Sequence, residues 1–235
     1  MYEAVHAHPD GDATVARYAH TAASYGFDGV VVRNHGDART EYDAEHIRDE
    51  MGVDVVRGME IRADDPSQAS GYVGNYRGDH TLLLVHGGTN AMNRFAVEQD
   101  RVDVLAHPMR NDGDVNHVLA KAAVENGVRL EFDLGRVCRL SGGGRVQALR
   151  GLTKLAELVD QFDVPYVVSV DPTSHLHLRA PRELAAIGET IGLGPERIRE
   201  GLAEWGRLAD RNRERQSESF IEPGVRRGRY EEVDR

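Results

Sequence analysis

The chain has 235 residues, 40% of them hydrophobic, and a formal net charge of −10. That length is enough for one sizeable core, and the acidic balance argues against a generally basic nucleic-acid binder. The single cysteine, Cys138, excludes an internal disulfide and a cysteine-based zinc site. We find no signal-peptide pattern and no apolar run of membrane-spanning length, and we therefore expect a cytoplasmic protein.

The basic residues are unusual, because only Lys121 and Lys154 among the 29 are lysines. Abundant Asp and Glu with almost no Lys indicates a surface adapted to high salt, where charge is screened. In such a protein net charge is a weak guide to partners, since even an RNA-binding protein would be acidic.

Short apolar runs alternate with helical patterns along most of the chain. Strands are predicted, in chain order, at 1–5, 29–33, 53–61, 82–85, 102–105, 128–132 and 166–170. Helices are predicted at 12–25 with Asp12 as the cap, 42–51, 114–126, 146–162, from 181, and from 195 to about 213. The segments 63–79 and 136–150 are rich in loop-forming residues, and we predict loops for both.

The stretch 81–108 forms one predicted βαβ unit. His86 follows its first strand, 82–85, and His107 lies just past its second, 102–105. The helix between them is predicted to bury one face, formed by Ala91, Phe95 and Ala96. Because parallel strands end on the same edge of a sheet, we expect His86 and His107 to lie side by side.

Seven strands, each usually followed by a helix, predict an α/β fold, a TIM-type β/α barrel over residues 1–213. An open doubly wound sheet would need a glycine-rich phosphate loop after the first strand, where the chain has residues 6–9, His-Ala-His-Pro. Residues 214–235 are charged and lose the periodicity, and we predict a disordered C-terminal tail there.

Eight ligand-type side chains stand at or near predicted strand ends, and in a barrel they would ring one mouth. They are His6, His8, His35, Glu60, His86, His107, Glu131 and Asp171. Directly after the first strand we expect an extended segment in which His6 and His8, two residues apart, converge on one point. Imidazoles and carboxylates of this kind bind Zn, Mn or Fe.

This pattern resembles the polymerase and histidinol phosphatase (PHP) superfamily, and the resemblance implies a PHP-like barrel with a metal cluster that hydrolyses phosphoesters. The sequence departs from that pattern in two places. The loop after His8 offers Asp10, Asp12 and Thr14 instead of a histidine, and Thr173 stands where the superfamily has the histidine of its last motif. We therefore assign no metal ligand and no catalytic residue. The alternative is that the rim side chains cap strands and pair with one another.

A narrower resemblance rests on Gly87-Gly88, on 93–98, which begins with Asn-Arg, and on 102–108, and it continues through 116–128, 145–168 and 178–184. These segments are similar to the archaeal ribonuclease P protein component 3 family, the counterpart of the thirty-kilodalton subunit of the eukaryotic enzyme. The resemblance implies a PHP-type barrel that is not catalytic alone. It also implies that the chain supports a catalytic RNA, which removes the 5′ leader from precursor tRNA by means of RNA-bound Mg²⁺. The resemblance further implies that the chain pairs with the component 2 protein.

Guanidinium groups that contact phosphates would serve such a role. The candidate RNA-binding residues are Arg94, Arg110, Arg136, Arg139, Arg145 and Arg150. The segment 136–150 is notable because it has four arginines and no acidic residue. For any one of these arginines the alternative is a solvated surface charge paired with a carboxylate.

Three functions remain open from the residues. The first is a ribonuclease P subunit, the second an autonomous metal-dependent PHP-type phosphoesterase, and the third a barrel that serves only as a scaffold for another complex. The incomplete ligand set favours the first over the second, and the Gly-Gly, Asn-Arg and His-Pro signature favours it over the third.

Overall fold

A computed structural model describes residues 1–217, 220–222 and 225–226. Within these residues, seven parallel strands are hydrogen-bonded in sequence order to form a nearly closed barrel. The strands are β1 (Tyr2–Val5), β2 (Gly29–Val32), β3 (Asp54–Ile61), β4 (Leu82–His86), β5 (Val104–Ala106), β6 (Arg129–Asp133) and β7 (Tyr166–Ser169). All seven predicted strands are confirmed, with ends that differ by one or two residues.

Helices follow most strands and cover the outside of the barrel. They are α1 (Val15–Tyr25), α2 (Ala44–Met51), α3 (Pro66–Tyr76), α4 (Asn90–Val97), α5 (His117–Asn126), α6 (Gly135–Arg139), α7 (Gly142–Phe162), α8 (Pro181–Glu189) and α9 (Pro195–Gln216). Gly26, Gly52 and Gly127 end α1, α2 and α5 in the left-handed conformation. The cap of α1 is Thr14, which accepts a hydrogen bond from the backbone of Arg17, so the prediction of Asp12 was wrong.

The prediction of a loop at 63–79 was also wrong, because α3 lies there. Asp65 caps the helix by accepting a hydrogen bond from the Gln68 amide, and Pro66 occupies the first helical position. Ala69 and Val73, four residues apart, are buried against the barrel. Asp and Pro act here as residues that start a helix, and tertiary burial outweighs the low helix propensity of the glycines.

The predicted loop at 136–150 is likewise helical, forming α6 and the first turns of α7. Val137 is buried and anchors α6 directly after β6. Gly135 is required at that junction, because a Cβ atom there would stand 2.0 Å from the carbonyl oxygen of Val170. In α7 the buried face begins at Leu152, and the exposed first turns extend backwards from this anchored part.

In α4, Phe95 and Ala96 are buried as predicted, whereas Ala91 is exposed. Thr89 caps this helix, and its buried face includes Met92 and the polar Asn93. The prediction failed at one position because the inward face is set in part by hydrogen bonds of Asn93, which a hydrophobic pattern does not register.

The barrel closes between β1 and β7 without a strand ladder among the described residues. The His6 amide donates to the carbonyl oxygen of Pro172 at 3.1 Å. The Val170 amide donates to the carboxyl group of Glu3 at 3.1 Å. Burial raises the pKa of Glu3 well above its usual range. Helix α9 packs across the same gap against both strands.

Helix α9 also covers the amino-terminal opening of the barrel. Trp205 is fully buried in the interior and donates from its indole nitrogen to the carbonyl oxygen of Val168 at 2.9 Å. Leu208 and Ala209 are buried in the same interior cluster. With this opening covered by α9, the polar site forms at the other end of the barrel, at the carboxyl ends of the strands.

Helix α9 runs three residues beyond the predicted end of the barrel domain at 213. Two short antiparallel strands, β8 (Phe220–Glu222) and β9 (Val225–Arg226), follow. The remaining residues of the predicted tail (218–219, 223–224 and 227–235) lie outside the described residues, so both the domain boundary and the disordered tail stay predictions. In the described part of the chain, no helix has the length and apolarity needed to cross a membrane.

Candidate functional site: a polar barrel mouth and an arginine-bearing surface

The carboxyl ends of the strands bring the predicted rim side chains together. The rings of His86 and His107 lie 4.8 Å apart, which confirms that these two histidines are neighbours. His6 and His35 stack at 5.0 Å. The set that converges consists of His6, His35, Glu60, His86, His107, Glu131 and Asp171.

The prediction that His6 and His8 converge on one point was wrong, because His8 is exposed to solvent. Strand β1 ends at Val5, and the chain then turns, with the amides of Asp10 and Gly11 both donating to the carbonyl oxygen of Ala7. The two-residue repeat of an extended strand no longer applies beyond that end.

The centre of the mouth is occupied by Arg33, a residue that the sequence did not single out. Its side chain is fully buried. The Nη2 and Nε atoms lie 2.6 and 2.7 Å from Oε2 of Glu60, and Nη1 donates to Oε1 of Glu131. A weak signal was available: a lone charged residue ends the buried run 29–32 directly before Asn34-His35. A buried Arg needs acidic partners, which only the fold supplies.

Further donors complete the surroundings of the two glutamates. Glu131 accepts hydrogen bonds from the His107 amide at 3.0 Å and from the Ser169 hydroxyl at 2.7 Å. Glu60 lies 2.5 Å from Nδ1 of His86. Burial opposes ionisation of Glu60, but the positive charges of Arg33 and His107 hold its pKa well below the usual range.

Imidazoles supply the remaining positive charge. Asp10 lies 2.7 Å from Nδ1 of His6 and 2.9 Å from Nδ1 of His35. Burial opposes the charged form of His35, but its contacts with Asp10 and Glu60 raise its pKa to about 9. Burial likewise opposes the charged form of His107, and the carboxylates around it, Glu131 first, raise its pKa to about 10. The acidic groups of the mouth are therefore neutralised by the chain's own side chains.

Two of the predicted RNA-binding arginines belong to this network. Arg110 lies on the rim, as predicted, where its Nη2 atom is 2.8 Å from Asp133 and also contacts Asp171. Arg139 donates to the carbonyl oxygens of Val170 and Asp171 at 2.8 and 3.1 Å. Both guanidinium groups therefore have partners within the protein.

The other four predicted arginines lie outside the mouth network. Arg94 forms an exposed pair with Glu98 at 2.8 Å. Among the residues that the structure describes, Arg136, Arg145 and Arg150 form no ion pair. Arg145 and Arg150 are exposed on the first turns of α7, and Arg136 on α6 lines a small pocket beside the mouth. We call these three residues the α6–α7 arginines.

The Gly-Gly, Asn-Arg and His-Pro segments form one hydrogen-bonded unit. The Asn93 side chain donates to the carbonyl oxygens of Pro108 and Asp114 at 2.8 and 3.0 Å, and it accepts from the Gly88 amide. A Cβ atom at Gly87 would stand 2.4 Å from the Asn93 side-chain oxygen. This asparagine therefore holds the loops after β4 and β5 together and fixes the two mouth histidines.

Comparison with known proteins identifies the family of the chain. The sequence profile of the RNase P subunit p30 family matches residues 1–217. The chain belongs to the RNase P subunit p30 family. The ribonuclease P protein component 3 of Haloarcula marismortui is 64% identical over 96% of both chains. That of Natronomonas pharaonis is 66% identical over 96% of this chain and 94% of the relative. Both are haloarchaeal proteins, in agreement with the salt-adapted composition.

Solved structures confirm the barrel fold expected for a p30 chain. A chain of the cryo-EM structure of archaeal ribonuclease P with mature tRNA superposes with a TM-score of 0.81 at 21% identity, over 100% of both chains. A histidinol phosphate phosphatase from Lactococcus lactis, complexed with zinc, L-histidinol and phosphate, gives a TM-score of 0.53 at 10% identity, over 85% of this chain and 93% of the phosphatase. At these identities both matches concern the fold alone.

Proposed function

We propose that this chain acts as a protein subunit of ribonuclease P, the ribonucleoprotein that removes the 5′ leader from precursor tRNA. The observation that carries the proposal is the p30 family match across residues 1–217, together with relatives named ribonuclease P protein component 3 at about two-thirds identity. The partners are the catalytic RNA, precursor tRNA, the component 2 protein and other subunits, and the location is the cytoplasm.

Within this assembly the chain contributes contacts with RNA and protein, and the chemistry takes place at Mg²⁺ bound to the partner RNA. The mouth supports this division of labour, because Glu60 and Glu131 are both held by the buried guanidinium of Arg33. A carboxylate that is held in this way is a poor general base, since its neighbour stabilises the ionised form. The autonomous phosphoesterase is the disfavoured alternative.

The proposed RNA-contacting surface is the one formed by the α6–α7 arginines. Their guanidinium groups have no carboxylate partner among the described residues, and no acidic residue occurs between 136 and 150. Phosphates are the groups that such unpaired guanidinium groups bind best. Arg94, Arg110 and Arg139 are weaker candidates, because each already has a partner within the chain.

Reconstitution tests the function directly. The catalytic RNA and the partner proteins are assembled with and without this chain, and cleavage of precursor tRNA is measured at limiting Mg²⁺. We expect the chain to raise the cleavage rate, since a subunit that neutralises phosphates reduces the Mg²⁺ needed to fold the RNA. An equal rate without the chain would count against the proposal.

A second assay tests the alternative function, that of an autonomous phosphoesterase. The purified chain is tested for hydrolysis of phosphomonoesters in the presence of Zn²⁺ or Mn²⁺. We expect no turnover, whereas robust metal-dependent turnover that is lost on substitution of His107 would establish the phosphoesterase.

A further inference from the structure

The barrel mouth holds the donor types of a divalent-metal site. Three groups of side chains bring ligand atoms to within 4.8 Å of one another: His6, Asp10 and His35; His35, Glu60 and His86; and His107, Asp133 and Asp171. The Lactococcus lactis phosphatase of the same fold is complexed with zinc. The mouth of the p30 chain therefore has to be tested for its fit to such an ion.

The position of Arg33 decides that test. Its Nη2 atom lies 2.6 Å from Oε2 of Glu60 and 3.3 Å from Nε2 of His107. A zinc ion bonded to the same two atoms would lie about 2.0–2.2 Å from each. The guanidinium group is fully buried, so it cannot move into water to relieve the repulsion between the two cations. The position between Glu60 and His107 therefore does not fit a divalent ion while Arg33 is present.

We propose that Arg33 is the resident cation of the barrel mouth and holds Glu60 and Glu131 together in place of a divalent metal ion. The function of Arg33 is then structural, and it is independent of any contact with RNA. A second part follows from the geometry: removal of the guanidinium group leaves a latent site for a single divalent cation.

The latent site is defined by four side chains around the space beside Arg33, those of His6, Glu60, His107 and Asp171. Nε2 of His6 lies 3.1 Å from Oδ1 of Asp171 and 3.6 Å from Oε2 of Glu60. Nε2 of His107 lies 3.4 Å from Oε1 of Glu60 and 3.8 Å from Oδ1 of Asp171. Ligands at about 2.1 Å from a tetrahedral ion are separated by about 3.4 Å, which is the spacing found here.

One ligand atom of this site is buried without a hydrogen bond among the described residues. That atom is Oδ1 of Asp171, whose near neighbour is Nε2 of His6 at 3.1 Å. The backbones of His107 and Asp171 are left-handed, with φ of 52° and 46°. Left-handed backbone is uncommon for residues other than glycine and often marks a constrained site.

The test uses Arg33→Met in the full chain, because methionine fills a similar volume without charge. Bound zinc is counted by mass spectrometry after dialysis against Zn²⁺, and the thermal midpoint is measured with EDTA and with Zn²⁺. We expect the wild-type chain to hold no stoichiometric zinc and to melt at one temperature in both buffers. The variant should melt lower in EDTA, bind one zinc per chain and regain much of the lost midpoint with Zn²⁺.

A control variant breaks the pair between a partly exposed arginine and a buried aspartate at the opposite opening. Arg211 lies 2.9 Å from Asp103, far from the mouth ligands. Arg211→Met should lower the midpoint without binding zinc, and zinc should not restore it. Adding His6→Ala or His107→Ala to Arg33→Met should abolish the bound zinc, since each removes one ligand of the latent site.

A double variant, Arg33→Met with Glu131→Gln, removes one charge of each sign. It provides the test if the single variant does not fold. We expect this variant to bind one zinc per chain as well. The proposal is overturned by a wild-type chain that holds one zinc removable by His6→Ala. It is equally overturned by a folded double variant that binds none, or by an Arg33→Met chain that is as stable as the wild type in EDTA.

Discussion

Arginines in two regions of this molecule have opposite surroundings. In the barrel mouth, Arg33 is fully buried between two glutamates, and Arg110 contacts two aspartates. On the surface of α6 and α7, Arg136, Arg145 and Arg150 have no acidic partner among the described residues. In the mouth the fold supplies carboxylates, and the arginines pair with them inside the protein. On α6 and α7 the guanidinium groups have no such partner among the described residues, and these are the groups proposed to contact phosphates.

The ion pairs of the two regions also differ in their contribution to the free energy of unfolding. Breaking a buried ion pair leaves an uncompensated charge in the interior and costs about 3–5 kcal/mol, whereas an exposed pair contributes about 0–1 kcal/mol. Substitutions in the mouth should therefore change stability, and substitutions of the α6–α7 arginines should change RNA binding alone.

The largest expected effect is that of Glu131→Ala. This change removes one of the two acidic partners of Arg33, and it also removes the acceptor of the Ser169 hydroxyl and the His107 amide. We expect the free energy of unfolding to fall by about 3–5 kcal/mol, as measured by denaturant titration. The control Glu98→Ala breaks the exposed pair with Arg94 and should cost less than about 1 kcal/mol. Equal losses in the two variants would contradict the contrast.

The next effect concerns RNA. Replacing Arg136, Arg145 and Arg150 together by Ala should weaken binding to the catalytic RNA. The slope of log affinity against log salt should fall by about 2, since each lost phosphate contact contributes about 0.7. Affinity is measured over a salt series, and the thermal midpoint should not change.

A matched control for the triple variant replaces three exposed arginines elsewhere on the surface, Arg17, Arg101 and Arg182. It removes the same charge and should leave the affinity closer to that of the wild type. An equal loss in both triple variants would mean that only total charge matters, and the α6–α7 arginines would no longer be the RNA site.

A finer test compares two arginines on one helix. Arg139 donates to backbone carbonyl oxygens of the loop after β7, whereas Arg136 has no such bond to any residue that the structure describes. Arg139→Ala should therefore cost about 1 kcal/mol of stability, and Arg136→Ala should cost none. Conversely, Arg136→Ala should lower RNA affinity more. Thermal midpoints and RNA titrations of the two single variants check this, and the reverse order in either measurement would reject it.

The smallest effect is expected for Arg94→Ala. Its guanidinium group pairs with Glu98 on an exposed helix turn, so the loss of stability should stay within about 0.5 kcal/mol. RNA affinity should change less than in the Arg136→Ala variant. A larger loss of affinity than for Arg136 would move the RNA-binding surface to α4.

The strands of this protein, and the edge of the sheet on which their polar residues meet, could be predicted from the sequence alone. Seven apolar runs are local signals, and parallel strands place their carboxyl ends together whatever the details of packing. For that reason the proximity of His86 and His107 was predictable, as was the family, from the order of the Gly-Gly, Asn-Arg and His-Pro segments.

The helices at loop-like segments and the partners of the buried charges could not be predicted, because they depend on contacts between distant parts of the chain. Helices α3, α6 and the start of α7 contradict their loop-like composition, because burial of residues such as Val73 and Val137 outweighs local propensity. The partners of Arg33 are 27 and 98 residues away in the chain. A local sequence pattern cannot predict ion pairs between residues so far apart in the chain. The pairs of Arg33 with Glu60 and Glu131 make the mouth a closed network of charges.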